Sequence, residues 1–356
     1  FYNIINGKEV FDSNNSVNYK NTQSILASYI EYKLTLGKFS AKAGARYEHT
    51  WENVEFILGK GDDFKKNYGN LVPSASFTYN IGAAVNVGVN YNMRISRPGI
   101  SFLNPYIDRS TPTVLTYGNP NLDVEESHKV NLVFNAFTPK FMINLTLGEA
   151  FANNQIEQYS LMDANGILNT TYGNIVRSRW TNFNTFINYS LTPNTRIFLN
   201  GGFDYGDMRS DKLSQKKHAW QATAFIGLQQ TLPWNVKMSM YTGGMTKRHT
   251  LQGYGNGFSM INIALAKDFF NEKLNVSVNY FTPFSGKMEY TQHNEGADFT
   301  QKMNMVIHVQ QIGLTLTWNF GNTKKQFQTN KSNISNDFQE KKNDNQVGGV
   351  GTGIGM

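Results

Sequence analysis

Residues 311–320 read QIGLTLTWNF, with the apolar side chains Ile312, Leu314, Leu316, Trp318 and Phe320 at every second position. Gly313, Thr315, Thr317 and Asn319 fill the places between. A strand projects successive side chains to opposite faces, so a period of two predicts one dry and one wet face. Beyond Gly321 the alternation stops. Residues 321–356 are polar up to the Gly-rich end GGVGTGIGM, and carry too little apolar surface to fold.

The same period recurs throughout. Residues 39–52, FSAKAGARYEHTWE, set Phe39, Ala41, Ala43, Ala45, Tyr47, His49 and Trp51 against Ser40, Lys42, Gly44, Arg46, Glu48, Thr50 and Glu52. Residues 85–96, VNVGVNYNMRIS, and 274–280, LNVSVNY, repeat it. Together these patterns predict about thirteen strands, near 22–36, 39–52, 68–80, 84–96, 127–137, 140–152, 178–191, 195–208, 218–231, 235–248, 257–269, 273–281 and 303–320. Between them, tight turns at 37–38, 81–83, 138–139, 192–194, 232–234 and 270–272 alternate with longer connections at 53–67, 97–126, 153–177, 209–217, 249–256 and 282–302. A sheet with every second connection short has its tight turns along one edge.

Composition narrows what such a sheet can be. The 356 residues are 40% hydrophobic and 13% aromatic but only 17% charged, and no stretch approaches the roughly 18 apolar residues of a membrane helix. The net charge of +7 is spread thinly, without the basic stripe that nucleic-acid binding requires. Cysteine is absent, which excludes disulfides and thiolate metal sites. Soluble β-sandwiches alternate too, but rarely as so many long hairpin-linked strands with one-sided turns. A hydrocarbon layer does require strands of roughly 9–11 residues, outward apolar side chains and a closed sheet. The expected fold is all-β: an antiparallel transmembrane barrel in the outer membrane of a Gram-negative bacterium. The short turns and the tail then face the periplasm.

Inward positions carry the functional weight. Lys42, Arg46, Glu48, Asn90, Asn92 and Arg94 are expected to face the lumen with Asn86, Asn131, Asn135, Asn182, Asn184 and Asn188, lining either a water channel or the seat of a plug. Catalytic and cofactor readings find no support. GGVGTGIGM lacks the strand and helix of a dinucleotide loop. The six histidines (His49, His128, His218, His249, His293, His308) form no pair with metal-ligand spacing. GKGDDFKK at 59–66 lacks the spaced oxygen ligands of a calcium loop. The expectation is a protein that is not an enzyme and carries no cofactor or metal.

Residues 94–128, RISRPGISFLNPYIDRSTPTVLTYGNPNLDVEESH, resemble a signature of TonB-dependent receptors. The matching residues are Ser96, Arg97 and Pro98; Leu103, Asn104 and Pro105; and Gly118, Asn119, Pro120, Asn121 and Leu122, followed by Glu125 and Ser127. Asp123 and Val124 stand where that family usually has Lys-Pro. The resemblance covers most of 19–320 and is strongest to Bacteroidota outer-membrane receptors. It implies a barrel of twenty-two strands around an N-terminal plug, with energy delivered by TonB to a region not found in this sequence, and it admits a surface lipoprotein partner.

The chain therefore reads as residues 1–320, part of a barrel beginning in an outer loop at 1–21, and 321–356, a periplasmic tail. Gln311, Gly313, Leu316, Trp318 and Phe320 fit the terminal signal read by barrel-assembly machinery, with the two aromatics at the lipid interface. Import of a bulky nutrient (siderophore, glycan or peptide) is the expected function. A structural or secretion-associated barrel and a passive porin-like channel are the alternatives.

Overall fold

A computed structural model describes residues 2–12, 16–58 and 63–320, together with the backbone of Glu340–Lys341. Asp62 of the 59–66 loop and the Gly-rich 348–356 segment lie outside the described residues. Thirteen strands form one antiparallel path in which each pairs with its chain neighbours. They are β1 (Asn18–Leu36), β2 (Phe39–Leu58), β3 (Phe64–Asn80), β4 (Val85–Pro98), β5 (Glu125–Phe137), β6 (Phe141–Met162) and β7 (Leu168–Thr192). They continue as β8 (Thr195–Ser210), β9 (Gln215–Leu232), β10 (Val236–Met245), β11 (Phe258–Phe269), β12 (Leu274–Pro283) and β13 (Gln311–Trp318). β1 and β13 are the two edges of the described sheet.

The register shows what the alternation builds. One rung across β1–β9 pairs Lys33, Lys42, Ser76, Asn90, Asn131, Gly148, Asn182, Asp204 and Gln221. The next rung pairs Leu34, Ala41, Phe77, Val89, Leu132, Leu147, Phe183, Phe203 and Ala222. Directly paired residues share a face, so one side of the wall is polar and the other apolar. Leu132, Leu147 and Phe203 are about half exposed, as side chains solvated by lipid must be. The short turns lie along one edge, where Phe39 packs on Tyr79 at 4.8 Å and Phe270 on Trp318 at 6.1 Å as pieces of an aromatic girdle.

Three expectations need correction. First, the predicted strand 303–320 is two strands in two sheets. Thr300–His308 pairs with Lys287–Glu295 in a small sheet that also holds Arg248–Thr250 and Gly253–Gly255, and only β13 joins the wall. Second, the long connections are shorter than predicted: β6 and β7 fill most of 153–177 and leave 163–167 as the loop. Backbone pairing continues past the bilayer, where neither face meets lipid and alternation is no longer imposed. Third, residues 1–21 are more than a loop, since Tyr2–Ile5 pairs with Lys8–Phe11 and β1 starts at Asn18. In the tail, Glu340–Lys341 bridges Arg97 and Pro98 in parallel, at the long-connection end of β4.

Candidate functional site

The 97–125 segment folds into a packed cap because its two Asn-Pro pairs make the same turn. The Asn104 side-chain oxygen accepts the Tyr106 N–H at 3.0 Å, and that of Asn119 accepts the Asn121 N–H at 2.9 Å. Pro105 and Pro120 sit between, with φ already set for a turn. One helical turn, α1 (Ile100–Leu103), joins them: Phe102 O accepts the Asn119 N–H and Asn104 O the Gly118 N–H, at 2.6 and 2.8 Å. A side chain at Gly118 would collide with the backbone of Phe102 and Asn104. Phe102, Leu103 and Leu122 are nearly inaccessible and pack with Ile156 and Tyr172.

Amide and carboxylate side chains then tie the cap to the wall. Asn174 accepts the Asp123 N–H at 2.8 Å and donates to its carbonyl at 3.0 Å; Asn154 does the same for Glu126 N and Val124 O. Glu125 accepts the Ile156 N–H at 2.8 Å.

Pairing between β3 and β4 ends at Ser74 and Asn92. Above it, the odd residues Met93, Ile95 and Arg97 meet even residues of β2 and β3. Met93 and Ile95 pack with Tyr68, while Arg97, 2% exposed, donates to the Glu48 carboxylate and to Thr50 Oγ1 at 2.9 Å. Arg46 completes the group, its Nε 2.7 Å from Glu48. Burial lowers the Lys66 ammonium, which donates to Leu122 O, and together with Glu52 raises the Tyr68 phenol. A buried pair of this kind is costly to break, because the surviving charge is left in a dry site.

The residues of the polar face form amide ladders. Asn131 donates to Asn90 at 2.7 Å, Asn135 to Asn86 at 2.9 Å, Asn144 to Asn135, and Asn184 to Asn182 at 3.3 Å. Lys42 pairs with Glu31 at 3.1 Å, and Arg94 is exposed. Thus Arg46 and Glu48 belong to the buried group beneath the cap, and Lys42, Asn90, Asn92 and Arg94 to the open face of the wall.

Above the cap lies a cavity of ≈ 400 Å³ walled by the upper parts of β6, β7 and β8, the cap and the small sheet. Its lining includes Gln155, Gln158, Gln252, Gln292 and Gln301, and the rings of Phe102, Tyr172 and Trp180. Gln252 fixes one side: it accepts the Ser160 N–H at 2.9 Å and donates to the Ser160 carbonyl at 3.2 Å. The sequence reading missed this site, since its residues, from Phe102 to Met303, lie up to 201 positions apart in connections without a shared period.

At the far end of the chain, Ile312, Leu314, Leu316, Trp318 and Phe320 are exposed on the apolar face of β13. Gly313 and Gln311 pair with Asn279 and Phe281 of β12, and a Cβ at Gly313 would strike the Asn279 amide. A larger residue there would have to turn the Asn279 amide aside.

The sequence model described as the outer membrane protein beta-barrel family matches residues 1–318. Among curated proteins, none matches this sequence. Solved structures are similar in fold. The ferric citrate transporter FecA superposes with a TM-score of 0.60 at 16% identity, covering 86% of this chain and 46% of FecA. The ferric yersiniabactin uptake receptor FyuA from Yersinia pestis gives 0.62 at 13%, with 85% and 46% covered. The copper transporter OprC gives 0.63 at 8%, with 84% and 49% covered. The chain spans about half the length of these structures.

Proposed function

Because the chain belongs to the outer membrane protein beta-barrel family and so to the Gram-negative outer membrane, we propose that it is the C-terminal wall of an importer of the TonB-dependent kind. The observation that carries this reading is the pair of rungs, one lipid-facing and one amide-lined, in a sheet whose fold is that of about half a receptor barrel. An open edge is untenable in hydrocarbon. Strands outside this chain join β1 to β13, the barrel seats an N-terminal plug on its amide face, and TonB supplies the energy. The short turns face the periplasm, β13 serves as the terminal strand recognised by barrel-assembly machinery, and a surface lipoprotein is a candidate partner at the long-connection end, where the tail's Glu340–Lys341 pairs with β4 rather than lying in the periplasm as expected.

The intact protein, purified from outer membranes and placed in liposomes, tests this. A plugged importer keeps arabinose out until its plug is deleted. Rapid swelling with the intact protein identifies a passive channel instead. Exclusion both with and without the plug favours a structural barrel.

A further inference from the structure

The cavity above the cap is lined by polar side chains that carry little charge. Its volume of ≈ 400 Å³ falls within the range of small-molecule sites, about 300–1,000 Å³. Amides dominate its polar lining, and each offers an acceptor oxygen and two donor hydrogens. Gln155 and Gln292 make no side-chain hydrogen bond with the described residues, so both are available to a ligand.

Charge is nearly absent. Glu157 and His249 are the lining side chains that can carry charge near neutral pH. The Glu157 carboxylate accepts the Leu251 N–H at 2.7 Å and faces Lys217. His249 has a buried Nδ1 without a hydrogen-bond partner, and burial, with Lys217 and Lys247 nearby, lowers its pKa and so favours the neutral ring. Three neighbouring lysines are engaged elsewhere. Lys217 donates to the carbonyls of Thr250 and Gly253 at 2.8 and 2.6 Å, Lys212 to Tyr159 Oη, and Lys247 lies 4.2 Å from the Tyr254 ring centre. Among the described residues, the lining offers no cation to an anionic metal chelate. A purely apolar ligand would strand the amides without partners.

Aromatic residues border the cavity as packed wall rather than as open faces. Phe102 and Tyr172 stack at 4.3 Å with an interplanar angle of 18°, and Trp180 lines the same cavity. Amides that both give and accept hydrogen bonds suit vicinal hydroxyls, which do the same. We propose that this cavity binds a neutral oligosaccharide through Gln155 and Gln292. As the cargo of an importer this rests on the reading above; as a binding site it does not.

The test presents the intact receptor, in detergent, to an array of neutral glycans covering α- and β-linked glucans, mannans, galactans and xylans. Ferric citrate, a ferric catecholate and uncharged tripeptides are the comparison probes. At least one glycan class is expected to bind, and Gln155→Leu with Gln292→Leu to weaken that binding at least tenfold while the heat-modifiable, folded fraction stays unchanged. Should the double variant fail to fold, Gln292→Leu alone carries the comparison. Binding of no glycan, binding of iron complexes or peptides alone, or glycan binding indifferent to these variants overturns the assignment. Glycan binding without uptake by cells would leave the site standing and remove the import reading. Uptake of a charged chelate without glycan binding would do the reverse.

Discussion

The short-turn half and the long-connection half of this wall are made from the same strands and obey different rules. In the short-turn half, rungs alternate polar and apolar, and the apolar rung stays exposed. In the long-connection half, three buried apolar clusters appear, around Leu103 and Leu122, around Met93 and Val124, and around Val176 and Met208. The difference lies in what solvates each face. Lipid satisfies an apolar side chain without any protein partner, whereas water does not, so apolar residues above the bilayer must find one another. The upper half therefore resembles a small soluble domain carried on a membrane wall, and its buried charges behave accordingly.

The comparison breaks most readily at Glu48. Glu48→Leu leaves Arg97 buried without its carboxylate, a loss of about 3–5 kcal/mol. Hydrogen exchange should rise across 48–52 and 97–104 while the short-turn half stays protected. If it rises no more than for Glu31→Leu, whose pair with Lys42 is half exposed, the upper half lacks the dry interior described above.

The converse test adds a charge below. Leu132→Arg is expected to cost about 2–4 kcal/mol and to lower the heat-modifiable fraction in outer membranes. Gln221→Arg, on the polar rung beside Asp204, is expected to insert normally. Equal insertion of the two would reverse the assigned faces.

The smallest effect sharpens the lumenal side. Gly313→Val forces its side chain onto the Asn279 amide, an overpacking cost of about 1–3 kcal/mol. Thr315→Val, two residues along the same face, should cost less in the urea midpoint of refolded protein. Equal midpoints would show that Gly313 serves bending or recognition rather than room.

Particular residues show how far the sequence could be read. The strands and one-sided turns were legible because each strand contacts lipid on one side and lumen on the other, and that imposes a period of two. The splitting of 303–320 left a trace that strand counting overlooks. Met303, Met305, Ile307 and Val309 are odd, Ile312, Leu314 and Leu316 are even, and the phase reverses at Gln310 and Gln311. The structure ends one strand at His308 and starts β13 at Gln311. The upper extensions of β6 and β7 left no such trace, because strands with water or protein on both sides lose alternation. The motif residues were legible as a motif, but Arg97 was expected in an outer loop and lies at the end of β4, buried on Glu48.

The amino-acid order alone determined the antiparallel wall, which face of each strand meets lipid, and where the tight turns fall, since all of these follow from nearest neighbours and a period of two. Only the tertiary structure decided that Arg97 finds Glu48, that Asn174 and Asn154 clasp the cap, and that five glutamines from four separated segments line one cavity. Those contacts join residues far apart in the chain, and no local pattern encodes a distance that the closing of loops sets.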